Sequence, residues 1–269
     1  MSSAPSPFDE VDVSLWDELP LWSAMAGLLL LDHVPLDARR VLDLGSGSGF
    51  PALELSERMG AGARVTGLDP WAPAVRRSAS KRASWSVTNL DLVRGDAAAL
   101  PFRDGAFDLL TSNLGVNNFA DPDTALEECR RVLAPGGALA LCTNRAGHFA
   151  EIYEVYAEVL AGDAAARERL AAHIEHRGTP ATLRARLDRH GLRVTEEHER
   201  SATFRFRDAG AILGHHFFRL GFIPGWHEVA GEGRAEERME ALRAALDRRA
   251  REAGEIRFTV PFLLLLARR

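Results

Sequence analysis

From Arg40 onward, short apolar runs alternate with longer stretches in which apolar residues recur every three or four positions. The runs at 40–44, 64–68, 90–94, 107–112, 137–143, 192–199 and 256–267 predict strands, most of them closed by Gly, Pro, Asp or Asn. Between them, residues 51–59, 72–82, 122–133 and 179–190 carry the helical period. Strand-helix alternation of this kind predicts an α/β fold: a Rossmann-like, mostly parallel sheet with helices on both faces. Ahead of it, Leu15, Leu19, Trp22, Met25, Leu28 and Leu29 mark a helical segment over 14–33 that Pro20 divides into two pieces. Residues 1–10, rich in Ser and Pro, predict a disordered tail.

Two stretches are too long to be simple connections. Residues 145–178 predict helices at Phe149–Leu160 and Asp163–His176, and residues 201–254 predict helices at Ala209–Leu220 and Ala235–Ala253. Segments of that length inside a compact domain usually serve function, often as lids. The helix over 235–253 is laced with charge and reads as a solvated surface helix. The organisation expected is therefore one domain over 11–269, with a helical cover at its start and two helical insertions.

The bulk numbers narrow the classes. The chain has 269 residues, 46% hydrophobic and 26% charged, ordinary for a soluble protein with a substantial core. A net charge of −5 argues against a broad nucleic-acid-binding surface. The apolar runs Gly27–Leu31 and Pro261–Ala267 are far shorter than the roughly 20 residues that span a bilayer. The first ten residues lack the basic start of a secretory signal. Two cysteines, Cys129 and Cys142, make neither a disulfide framework nor a zinc spacing, so the setting expected is cytoplasmic and no metal is expected.

The chemistry concentrates after the first strand. Residues 41–50 read Val-Leu-Asp-Leu-Gly-Ser-Gly-Ser-Gly-Phe, an apolar run that ends on Gly45, Gly47 and Gly49. Glycines at alternate positions allow a tight turn and a ligand close to the backbone. Such a turn delivers a nucleotide-like ligand to the carboxyl edge of a parallel sheet. Spacing alone leaves two cofactors open. Gly47-Ser-Gly-Phe-Pro-Ala52 also fits a dinucleotide fingerprint, and Asp69, 20 residues beyond Gly49, suits the ribose of either NAD or an adenosyl cofactor.

Three further features follow in order. Asp96-Ala97 ends the third strand with a carboxylate able to accept from an exocyclic amine. A turn rich in Pro, Asp and Gly, Leu100–Asp108, feeds the fourth strand, Phe107-Asp-Leu-Leu-Thr-Ser-Asn113. A helix then stops at Leu133-Ala-Pro-Gly-Gly137. Taken together, residues 40–145 resemble the class I S-adenosylmethionine-dependent methyltransferases, in the broad type 11 group that includes quinone C-methyltransferases. The resemblance implies a seven-stranded sheet with an antiparallel last strand, and S-adenosyl-L-methionine as methyl donor. It implies cofactor contacts from Asp43, Gly45, Ser46, Gly47 and Gly49, from Asp69, Pro70 and Trp71, from Asp96 and Ala97, and from Asn113. Asp43 would help to hold the cofactor's amino group, Asp69 the ribose and Asp96 the adenine. An NAD enzyme would explain the first turn and its acid but not the later features.

The methyl acceptor is less legible. A sulfonium methyl is already electrophilic, so its transfer needs mainly proximity and orientation, and a base only if the acceptor arrives protonated. The sequence after the fourth strand, Asn113-Leu-Gly-Val-Asn-Asn-Phe119, lacks the Pro-Pro-aromatic box of methyltransferases that act on nucleic-acid bases or glutamine amides. Asn117 and Asn118 read as turn formers. His148, Tyr153, His215 and His216 lie in the insertions among aromatic residues, where a histidine could act as base toward a small, partly apolar acceptor. The alternatives are a protein side chain as acceptor, or a protein that binds the cofactor without catalysis. Oligomeric state leaves no mark on the sequence.

Overall fold

A computed structural model describes Val13, residues 20–175 and residues 177–269, with the side chains of 20–22 excepted. The tail at 1–10, the first piece of the 14–33 segment and His176 lie outside the described residues. Seven strands form one sheet: β1 (Arg40–Leu44), β2 (Arg64–Asp69), β3 (Leu90–Arg94), β4 (Phe107–Asn113), β5 (Leu133–Asn144), β6 (Arg193–Phe206) and β7 (Ile256–Arg268). Their order is β3-β2-β1-β4-β5-β7-β6. β1 lies parallel to β2 and β4, β3 to β2 and β5 to β4. The Arg269 N–H donates to Gly137 and the Arg145 N–H to Pro261, so β7 runs against β5. Thr195 bonds to Leu266 while Arg205 meets Glu255, so β6 runs against β7 in turn. The expected sheet is present, with its last strand alone reversed.

β1 is followed by β2 on one side, whereas β4 lies on its other side. At this switch point the connections leave in opposite directions and open a crevice at the strands' carboxyl ends. Each central strand is buried on both faces, which is why Val41, Leu42, Asp43 and Leu44 show no alternation between core and solvent. The helices are α1 (Pro20–Leu31), α2 (Ala52–Met59), α3 (Ala72–Ser84), α4 (Pro122–Val132), α5 (Ala150–Val159), α6 (Ala164–Glu175), α7 (Pro180–Arg189), α8 (Ala209–Gly214), α9 (His216–Gly221), α10 (Ile223–Ala230) and α11 (Ala235–Ala253).

The chain divides into two compact units. The first holds the described residues up to Thr143 with Pro180–Arg200 and Phe262–Arg269. Its core joins Leu42, Leu44 and Leu110 of β1 and β4 to Leu126, Cys129 and Val132 of α4. Arg131, on the polar side of α4, donates to the carbonyls of Phe102 at 2.7 Å and Leu100 at 3.0 Å, and to Glu128 at 2.6 Å. Glu128 in turn accepts the Leu100 N–H at 2.8 Å. The turn that feeds β4 is thus pinned beneath α4 by one Arg-Glu pair. Cys129 and Cys142 are both buried and unoxidised.

The second unit holds Asn144–Thr179 and Ser201–Pro261. Its core is aromatic: Phe149, Tyr156, Phe218, Trp226 and Phe258 are all buried. Here the structure departs from the sequence reading in two places. The helix expected over Ala209–Leu220 is two short helices, because His215 takes an extended backbone (φ −66°, ψ 127°) and its Nδ1 accepts the Phe217 N–H at 3.3 Å, capping α9. α10 is an addition, started by Pro224 in its first turn. The charged helix α11 buries Met239, Leu242, Ala245 and Leu246 along one face. On that face Arg238 is buried too, bonded to Ala230 and Asp163. Among the described residues no helix is long and apolar enough to cross a membrane.

The Tyr156 hydroxyl donates to the Trp226 carbonyl at 2.7 Å and joins α5 to α10. Tyr156→Phe removes that donor and leaves a buried carbonyl short of a partner, so unfolding in urea should show a loss of about 1–2 kcal/mol. An unchanged midpoint would mean the bond contributes nothing.

Candidate functional site

The turn after β1 is built from backbone hydrogen bonds. The N–H groups of Gly45 and Ser46 both donate to the Leu68 carbonyl, at 2.9 and 3.1 Å, which folds the chain over the end of β2. Gly45, Gly47 and Gly49 all take positive φ, at 69°, 52° and 115°. Their reasons differ. A Cβ on Gly49 would lie 2.6 Å from the Leu53 side chain and 2.8 Å from Ser78, so this glycine lets the turn pack on α2 and α3. A Cβ on Gly47 would meet nothing within 4 Å. That glycine faces open space, where a ligand can approach the backbone.

Asp69 closes the turn from the other side. Its Oδ2 accepts the Gly47 N–H at 2.9 Å and its Oδ1 the Trp71 N–H at 2.8 Å. Burial pushes its carboxyl up, and these two amides pull it back. A carboxylate offers about four acceptor positions, so two remain for ribose hydroxyls. The Gly95 N–H donates to the Asp69 carbonyl at 3.1 Å, bringing the exit of β3 to the same place. There Asp96 is exposed, with Oδ1 accepting the Ala98 N–H at 2.9 Å. Ala97 turns its side chain into the core, which leaves only its backbone for a ligand. Pro70 is exposed, and Trp71 is buried at the start of α3.

Asp43 pairs in register with Gly67 on β2 and Thr111 on β4. It is fully buried, and its Oδ1 accepts the Thr111 hydroxyl at 2.6 Å. Burial drives its carboxyl from 3.8 up to about 7; Thr111 opposes the rise, the nearby charge of Asp69 adds to it, and the Ala52 amide opposes it. Oδ2 has no hydrogen bond of ordinary geometry among the described residues, and neither has Asn113 Oδ1, also buried. Asn113 spends its amide on the Ser23 carbonyl of α1 at 3.0 Å. Gly27 of the same helix lies against the Phe50 ring, where a Cβ would sit only 2.2 Å away. α1 therefore seats at the carboxyl end of β4, beside the residue that ends the glycine turn.

Two buried oxygens short of a well-aligned donor among the described residues, next to a backbone open to ligand, make a demand on what binds. An ammonium supplies three donors and hydroxyls supply more. The amino group and ribose hydroxyls of S-adenosylmethionine are donors of that kind. Thr111, Gly27 and Phe50 were not singled out in the sequence. Only the register of β4 against β1 brings Thr111 to Asp43.

The acceptor-side candidates fall in the second unit. His148 is buried, stacked on Phe149 at 3.8 Å, with Nδ1 at 3.2 Å from the Asn144 amide. Burial holds it well below the ordinary imidazole range, and the positive charge of Arg177 and His173 adds to that. The Tyr153 hydroxyl lies 3.2 Å from His173 Nε2, and burial raises its phenol. His215 and His216 stack on each other at 4.6 Å; burial lowers His215, with His216 adding. Among the described residues no cluster suits a metal ion.

Asp43 sets two pH effects. The unfolded chain releases this proton near 3.8, and the folded chain holds it to about 7. The stability this contributes is complete below 3.8 and lost as pH rises through about 7, at most about 4 kcal/mol. Apo-protein melting temperature should therefore fall between pH 5 and 8, and Asp43→Asn should flatten the fall. Binding of S-adenosylhomocysteine should tighten over the same range, because only ionised Asp43 attracts the ligand's ammonium. Titration calorimetry in buffers of different ionisation enthalpy should register proton release, absent in Asp43→Asn. In the same assay Asp69→Ala should weaken binding by about 1–3 kcal/mol, and unchanged affinity in a folded variant would remove Asp69 from the site.

Residues 42–141 match a family described as "Methyltransferase domain". The chain is 36% identical over 187 residues to a demethylmenaquinone methyltransferase of Thermus thermophilus, which covers 65% of this chain and 83% of that one. It is 36% identical over 138 residues to the Deinococcus radiodurans demethylmenaquinone methyltransferase, but spans only 55% of its length. In fold it is similar to the YcgJ protein of Bacillus subtilis, with a TM-score of 0.59 at 19% identity, over 91% of this chain and 98% of that one. With the glycine turn, its closing aspartate and the reversed last strand in place, this chain belongs to the class I S-adenosylmethionine-dependent methyltransferases.

Proposed function

We propose that the chain methylates a small, partly apolar acceptor of the reduced-quinone type. The observation that carries the cofactor half of this reading is the pair of buried oxygens, Asp43 Oδ2 and Asn113 Oδ1, that lack a hydrogen bond of ordinary geometry among the described residues, at the carboxyl ends of β1 and β4. The acceptor half rests on the relatives named as demethylmenaquinone methyltransferases and on the aromatic core of the second unit. Both buried thiols, unoxidised, support a cytoplasmic setting.

Bound S-adenosylmethionine supplies an electrophilic sulfonium methyl that needs no further activation. The chain's own residues then bind and orient. Asp43, ionised once the ligand's ammonium is near, fixes one end, and Asp69 fixes the ribose. The low pKa of His148 makes it a weak base, and the raised phenol of Tyr153 keeps that group protonated at neutral pH. Both act as neutral hydrogen-bonding groups. An acceptor hydroxyl would thus lose its proton before transfer or to solvent, not to a strong base on the chain.

The test is release of S-adenosylhomocysteine with and without reduced demethylmenaquinone. Acceptor-dependent release with a methyl on the quinone ring supports the reading. Cofactor binding with no release would sink it in favour of a binding protein.

A further inference from the structure

Arg177 lies in the second unit, at the end of the segment that follows α6. Its guanidinium carbon lies 5.8 Å from the centre of the Phe222 ring. Its Nε is buried and has no hydrogen-bond partner among the described residues. Burial lowers its pKa and the charge of the Tyr153 phenol raises it back. His148 feels the same positive charge. Among the described residues, the groups around Arg177 are a ring face, a buried neutral imidazole and a phenol held in its protonated form. None of them is an anion.

Four acids of this unit bond to other groups. Glu151 bonds to Thr259, Asp163 to Arg238, Glu158 to Arg249, and Glu255 to Arg205 and Arg257. Arginine at neutral pH is always charged and carries five donors in a planar fork. A ring face satisfies part of that charge and none of those donors. Leaving a largely buried cation in this condition is costly unless a ligand supplies the counter-charge. The surroundings also specify the rest of the ligand. His148 lies 5.3 Å from Phe222, Phe149 lies 4.8 Å from the same ring, and Phe149 stacks on Phe218 at 5.3 Å. Flat rings around a guanidinium suit a flat ring that carries an acid.

We propose that Arg177, Phe222, His148 and Tyr153 form a binding site for an aromatic carboxylate, with the guanidinium fork taking the carboxylate and Phe222 and His148 lining its ring. This goes beyond the acceptor reading above, since a reduced quinone carries no carboxylate: the ligand of this site carries an anionic group on a planar ring. A carboxylate matches the guanidinium fork with two parallel hydrogen bonds, which an amide of the same shape cannot reproduce.

The test uses the full chain, with 2-naphthoate and its uncharged isostere 2-naphthamide as probes in titration calorimetry. The unmodified protein should bind the naphthoate at least about tenfold more tightly than the amide, a typical value for a charge-assisted bond. Arg177→Met should remove that preference, and Arg177→Lys should keep part of it. Equal affinities in the unmodified protein, or no naphthoate binding at millimolar concentration, would overturn the proposal whether or not the variants fold. So would a preference that survives in Arg177→Met. S-adenosylhomocysteine is titrated into the same samples. If it binds while the naphthoate does not, the anion site fails and the methyltransferase reading stands; if it does not bind, that reading fails on its own account.

Discussion

A single carboxylate holds the ligand-binding edge of the sheet together. Asp69 accepts the Gly47 N–H with one oxygen and the Trp71 N–H with the other, and its carbonyl takes the Gly95 N–H. The turn after β1, the start of α3 and the exit of β3 are thereby fixed at one point. Without those bonds the glycine turn, with three residues at positive φ and little side chain to pack, would have few reasons to keep one shape. Burial of the acid is costly, and the two amides offset part of the cost. The same residue that organises the turn also has acceptor positions left over.

Asp43 works by a different balance. It is fully buried between β2 and β4, and a single hydroxyl from Thr111 is not enough to keep it ionised at low pH. An apo site with a half-protonated carboxyl is poised for a cationic ligand, which would shift the carboxyl to its charged form on binding. The arrangement trades stability of the empty protein above neutral pH for selectivity toward an ammonium. Asn113 adds a neutral acceptor on the adjacent strand and, through Ser23, anchors α1 at the same edge.

The later sequence features that distinguish this family have a scaffolding role. Leu100–Asp108 is clamped by Arg131 and Glu128 of α4, and Ala97 lies in the core beneath its turn. They set the position of β4, and so of Thr111 and Asn113, in relation to β1. The second unit obeys other rules, with rings stacked on rings and polar groups kept neutral by burial, apart from Arg177 and the ion pairs at its rim.

The sheet was legible in the sequence because each strand is a short apolar run and each crossover a helical period, both local properties of the chain. The glycine turn and Asp69 were legible for a related reason: a backbone conformation that only glycine adopts easily, and an acid at the end of the next strand, leave a pattern in one dimension. The break at His215 was not, because helical spacing runs straight through it and only the histidine's capping bond interrupts it. Thr111 looked like one more strand residue until register placed it against Asp43. Arg177 looked like one of many arginines until packing set it over Phe222 with its Nε short of a partner among the described residues. What the sequence determined by itself was the order of strands and helices, the glycine turn and the family they mark. What only the tertiary structure decided was which charges are left unbalanced, since a charge's partners come from residues far apart in the chain and are chosen by packing.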